Sequence, residues 1–123
     1  MKLFEILLEY GSSNPFIGIV SAIDLRIQEV NVAIHGGSNK IFISSLKSQL
    51  NDLLKFLKSG NNWIVPEPKL RKDLHDALPL IIREVSLALD SVISGDINKT
   101  KICLMTAREI TIKRSHLKFG TIE

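Results

Sequence analysis

Asn14 to Gly37 reads NPFIGIVSAIDLRIQEVNVAIHGG, and the choice between helix and strand for this stretch decides the fold. At helical spacing Phe16, Val20, Ile23, Ile27, Val30 and Ile34 fall on one face, and Ser21, Asp24, Gln28, Asn31 and His35 fall on another. The reason is that residues three and four apart share a side of an α-helix. Ile17, Ile19, Leu25 and Val32 widen the apolar side and leave only a narrow polar strip. A helix apolar over so much of its circumference belongs in the middle of a fold. Asn14 offers a capping oxygen, Pro15 suits a first helical position that needs no N–H, and Gly36-Gly37 is a stop signal.

The competing reading is a β-hairpin. Ile, Val and Asn are mediocre helix formers, Ile23 to Ile27 and Val30 to Ile34 each alternate, and Gly36 to Asn39 resembles a hairpin loop leading into Ile41-Phe42-Ile43. The alternation slips by one residue between Ile27 and Val30, which turns the apolar side outward unless a bulge falls at Gln28-Glu29. The helical stripe needs no such repair. The spacing therefore predicts a central helix over 15–35, with an α+β fold carrying a hairpin in 22–43 as the alternative.

Working outward, residues 2–10 (KLFEILLEY) set Leu3, Ile6 or Leu7, and Tyr10 against Glu5 and Glu9, a short amphipathic helix closed by Gly11. Ser38 to Ser59 has the cleanest amphipathic pattern. Phe42, Leu46, Leu50, Leu53 or Leu54, and Leu57 oppose a lysine- and serine-rich face, with Ser38 as cap and Gly60 as stop. The short loop before it predicts an αα-hairpin. Asn61 to Pro68 reads as an irregular connection in which Trp63-Ile64-Val65 folds back over the open end of that hairpin. The alternative for Trp63 is an exposed binding residue.

Lys69 to Gly95 is helical but contains Pro79, which predicts either a kink or two helices, 68–77 and 79–94. Its core stripe is Ile82, Val85, Leu89 and Val92, with Ile81, Ala88 and Ile93 beside it and Arg83, Glu84, Ser86 and Asp90 facing out. The last element is expected as helix over about 97–114, buried on several sides by apolar residues that include Ile102. Glu109 to Lys113 also fits an extended segment. The fold class that follows is all-α, an antiparallel bundle of about five helices around the central helix 15–35, with residues 1–123 forming a single helical domain.

Composition agrees with a packed domain: 45% apolar and 24% charged residues in 123 is globular rather than disordered, and enough chain to bury a core without staples. The one cysteine, Cys103, has no internal disulfide partner, which favours a reduced, cytoplasmic setting. Glu5 and Glu9 interrupt the N-terminal apolar patch where a signal peptide needs continuity, and no run approaches the roughly 20 apolar residues of a membrane span. A soluble protein without membrane partners is the expectation.

The search for chemistry returns little. Gly36-Gly37 lacks a phosphate-loop context, and no GxSxG, HExxH or paired-cysteine motif occurs. No metal-ligand spacing or cofactor motif is present in the sequence, and Cys103 in ICLM reads as a small core residue. Asp24, Gln28, Asn31 and His35 align along the central helix, yet a single carboxylate cannot hold a hard cation and His35 lies too far along the axis to join it. That strip reads as a solvated face. Arg108 and His116 invite comparison with the HEPN ribonucleases, but seven residues intervene where that family's motif is tighter. The resemblance is one of helical architecture, and no catalytic role comes from it.

Net charge is +3 but unevenly placed: Lys99, Lys101, Arg108, Lys113, Arg114 and Lys118 face a single acid, Glu109, within 99–118. These six cations are the candidate partner-binding residues, suited to an acidic protein surface. Phosphates are the alternative target, but Phe119 is the sole aromatic nearby for base stacking. The function expected is a non-enzymatic protein-binding module of the inhibitor, immunity or adaptor type. The alternative is a nucleic-acid-associated regulator that uses the basic segment.

Overall fold

The computed structural model describes residues 14–36 and 40–115. These form four α-helices, α1 (Pro15–Gly36), α2 (Lys40–Lys58), α3 (Pro68–Ile93) and α4 (Ile97–Ser115), with a short 3-10 turn at Ser59–Asn62. Among the described residues there is no strand, so residues 22–36 and 40–43 are helical and the hairpin alternative fails. The same holds for the extended reading of Glu109 to Lys113, which lies inside α4. The helix expected over 2–10, the Ser38 cap, and His116, Lys118 and Phe119 lie outside the described residues.

α1 begins as its sequence predicts. The Asn14 side-chain oxygen accepts from the Phe16 N–H at 3.0 Å, with Pro15 at the first helical position. Phe16, Val20, Ile23, Ile27 and Val30 are buried, joined by Ile19 and Ala33. Leu25 and Val32, expected to widen the apolar side, instead stand 47% and 57% exposed on the back of the helix. The buried stripe meets Leu46, Leu50, Leu53, Leu54 and Leu57 of α2 and Ile81, Val85 and Leu104 of α3 and α4 in one continuous core.

α1 and α2 run in opposite directions, as do α3 and α4. Arg26 donates to Gln49 across the α1–α2 connection, and the Thr100 hydroxyl donates to the Ala88 carbonyl at 3.3 Å across the α3–α4 connection. Each pair is nearly equidistant in sequence from its own loop, which is the signature of an αα-hairpin. The principal packing is α1 on α2 and α4, and α3 on α2 and α4. A four-cornered arrangement results.

Pro79 does not divide α3, which is continuous from Pro68 to Ile93. Pro79 and His75 are both exposed, so the carbonyl four residues earlier that loses its N–H partner is open to water. Glu67 caps the start, accepting from the N–H groups of Lys69 and Leu70 at 3.1 and 2.7 Å. The buried side is Ile81, Val85, Ala88 and Val92, while Ile93 is exposed rather than packed. In the connection before it, Trp63 and Val65 do turn inward: the indole N–H donates to Ser59 Oγ at 3.0 Å, the ring lies 4.8 Å from Phe56, and Val65 is buried. Ile64 between them points out, 82% exposed, because alternate residues of an extended segment face opposite ways.

One turn both ends α3 and starts α4. The Gly95 N–H donates to Val92 O at 3.1 Å and the Asp96 N–H to Ser91 O at 2.8 Å, the paired bonds of a Schellman motif. Gly95 adopts φ 88°, a left-handed backbone that a side chain resists. Asp96 then caps α4, its carboxylate accepting from the Lys99 N–H at 3.0 Å. Gly95→Ala is therefore expected to lower unfolding stability by about 1 kcal/mol. Urea denaturation monitored by circular dichroism measures this, and an unchanged midpoint would show that the turn tolerates a side chain.

Candidate protein-binding surface

α4 hides polar residues and displays apolar ones. Its buried side is Thr100, Cys103, Leu104, Ala107, Thr111 and Ser115. Small side chains there let α3 and α4 approach closely enough for Thr100 to reach the Ala88 backbone. The hydroxyls are satisfied within the helix: Thr111 donates to Ala107 O at 2.7 Å and Ser115 to Ile112 O at 2.8 Å. Buried hydroxyls so bonded carry little desolvation penalty. Cys103 is a buried free thiol, as expected for a core residue. Burial, and then the charge of Glu84, push its ionisation above the ordinary value.

The consequence falls on the other side of the helix. Ile102, expected inside, is 65% exposed, and with Met105, Ile112, Lys101 and Lys113 it lines an open groove of about 650 Å³. Glu109 lies in the same groove. Nothing in an apolar count of α4 separates these residues from the core. The usable signal is the pair Thr100 and Thr111, whose small polar side chains mark the close-packed side and leave the larger apolar residues outside.

Of the five predicted cations that are described, Lys101, Arg108 and Lys113 line the same groove. Lys99, Lys113 and Arg114 are exposed, Lys101 is half-buried, and Lys118 lies outside the described residues. Arg108 turns inward, its Nε donating to Asp24 Oδ1 at 2.6 Å to join α4 to α1. That bond also revises the reading of the polar strip on α1. Gln28 and His35 face water, but Asp24 is held by Arg108 and Asn31 is half-buried, its Oδ1 without a hydrogen-bond partner among the described residues.

A second charged pair lies on the other flank of α1. Arg26 contacts Glu29 at 2.7 Å and also donates to Gln49. Glu29 nonetheless holds its proton more tightly than an ordinary carboxylate, because burial outweighs the attraction of Arg26. Among the described residues no three His, Cys, Asp or Glu side chains come together, and no helix is long and apolar enough to cross a membrane. Compared with protein-family models, with curated proteins and with solved structures, the chain matches none.

Two measurements check these electrostatic assignments. Asp24→Ala removes the carboxylate that accepts from Arg108 and is expected to cost about 1 kcal/mol, with a less than additive loss when Arg108→Ala is added. Full additivity of the two losses in urea titrations would show that the pair does not act as a unit. For Glu29 the raised folded-state value means that folding favours the protonated form. That contribution is complete below the ordinary value of 4.5 and is lost as pH rises through the raised value. The stability of the wild type relative to Glu29→Gln should fall as pH rises from below 4.5 to neutrality. A difference independent of pH would contradict the assignment.

Proposed function

We propose that this protein is a non-enzymatic binding module of the inhibitor, immunity or adaptor type, acting by covering the surface of a partner protein. The observation that carries the reading is the outer face of α4, where Ile102 stands exposed beside Met105 and Ile112 between Lys101 and Lys113. An apolar strip inside a charged rim is the anatomy of a recognition surface, with apolar area for affinity and charge for orientation. Lys101, Arg108 and Lys113 outnumber Glu109 in that lining, a balance that favours an acidic partner. Lys99 and Arg114 extend the basic margin along the helix, and Lys118 follows in sequence.

The nucleic-acid alternative draws on the same cations but gains less from their placement. Arg108 is turned towards Asp24, and Lys101 and Lys113 frame apolar side chains rather than a continuous basic track. The fifth helix, over 2–10, and the central position of helix 15–35 belong to this proposal too. The reduced thiol of a buried Cys103 suits a cytoplasmic setting.

The test is charge reversal at the rim. Lys113→Glu with Arg114→Glu should weaken nuclease-resistant binding to a purified partner at least tenfold while leaving the melting temperature unchanged, since both side chains are exposed. Unchanged affinity would remove the surface from consideration. Salt-sensitive retention of nucleic acid, lost in the same variant, would instead select the regulator.

A further inference from the structure

We infer that the small pocket between the 3-10 turn and α3 binds a carboxylate that carries a short apolar chain. The site shares no lining residue with the α4 groove and stands independently of the function proposed for it. Its floor is apolar. Val65 is 3% exposed, and with Leu74 and Leu78, buried four residues apart on α3, it lines the base of the pocket. Gly60 joins them: a Cβ there would come within 2.6 Å of Leu78 Cδ1, so the turn lies against α3 with no side chain between. Trp63 makes a wall, held by its bond to Ser59 Oγ and its contact with Phe56.

The polar side is built from donors. Arg71 and His75 line the pocket from successive turns of α3, and Asn61 lines it from the 3-10 turn. Arg71 Nη1 donates to Val65 O at 3.4 Å, a long bond between two lining residues that keeps the guanidinium at the edge of the pocket. That group has several further N–H donors in a planar fork, the shape that pairs with a carboxylate. His75 offers another ring N–H. Among the described lining residues there is no Asp or Glu to compete, and Glu67, one turn before Arg71, is engaged as the helix cap. Size selects the rest of the ligand. A volume of about 60 Å³ holds roughly four non-hydrogen groups at about 15 Å³ each, which is the scale of acetate or propionate. Phosphate would set anionic oxygens against Val65, Leu74 and Leu78, where a methyl group belongs.

Two-dimensional amide NMR of the full chain, titrated with sodium propionate at fixed pH and ionic strength, tests the site. Trp63 is the single tryptophan, so its indole N–H signal identifies itself. Saturable shifts of that indole and of the Gly60, Arg71 and His75 amides are expected at millimolar propionate, with neutral propionamide about tenfold weaker. Arg71→Gln, at an exposed position, should weaken propionate about tenfold with an unchanged circular dichroism spectrum. Arg71→Lys, which keeps the charge and loses the fork, should weaken it less. No saturation, equal affinity for propionamide, undiminished binding in both Arg71 variants, or shifts centred outside residues 60–78 would overturn the site. Tighter binding of phosphate than of propionate would overturn the apolar half of the assignment.

Discussion

The apolar stripe of α1 can exist as helix only while it is covered, and the rest of the structure depends on that constraint. Ile and Val are poor intrinsic helix formers, and helices in proteins are held mainly by packing of their apolar face, so α1 draws its stability from packing rather than propensity. α2 covers one flank with leucines at helical spacing, and α4 covers the other. α3 closes the remaining side without needing much contact with α1 itself. The caps at Asn14, Glu67 and Asp96 then set where each helix starts, each satisfying backbone N–H groups that a helix leaves unpaired.

Charge is distributed to suit this packing. Both flanks of α1 carry a charged side chain bonded to a neighbour, Arg26 to Gln49 of α2 and Asp24 to Arg108 of α4. Two polar links at different angles fix one rotation of the helix. Partly buried pairs of this kind are better understood as fixing orientation than as adding large stability.

The fold class was legible in residues 14–37 because helical and strand periods make incompatible demands on Ile27 and Val30, and only the helical one keeps the apolar face in phase. The buried stripe of α2 followed from the same rule. Two kinds of information were not legible. Pro79 reads as an interruption, and only the exposure of His75 and Pro79 shows why the helix continues. Ile102 was expected inside and is exposed, and the bond from Arg108 to Asp24 had no counterpart in the sequence reading. α4 is packed by small and hydroxylated residues, and hydropathy does not register closeness of approach. Charge alone thus pointed to α4, while the apolar residues exposed on it needed three dimensions.

The turn at Gly95 and Asp96 also bears on how the molecule assembles. Because three residues both terminate α3 and initiate α4, pairing these two helices closes a very short loop and costs little chain entropy. Joining α1 to α4 orders a far longer stretch of chain, as the separation between Asp24 and Arg108 implies. The C-terminal hairpin is accordingly the natural folding nucleus, with α1 and α2 condensing onto it. The face proposed for recognition then lies on that hairpin, backed by α3.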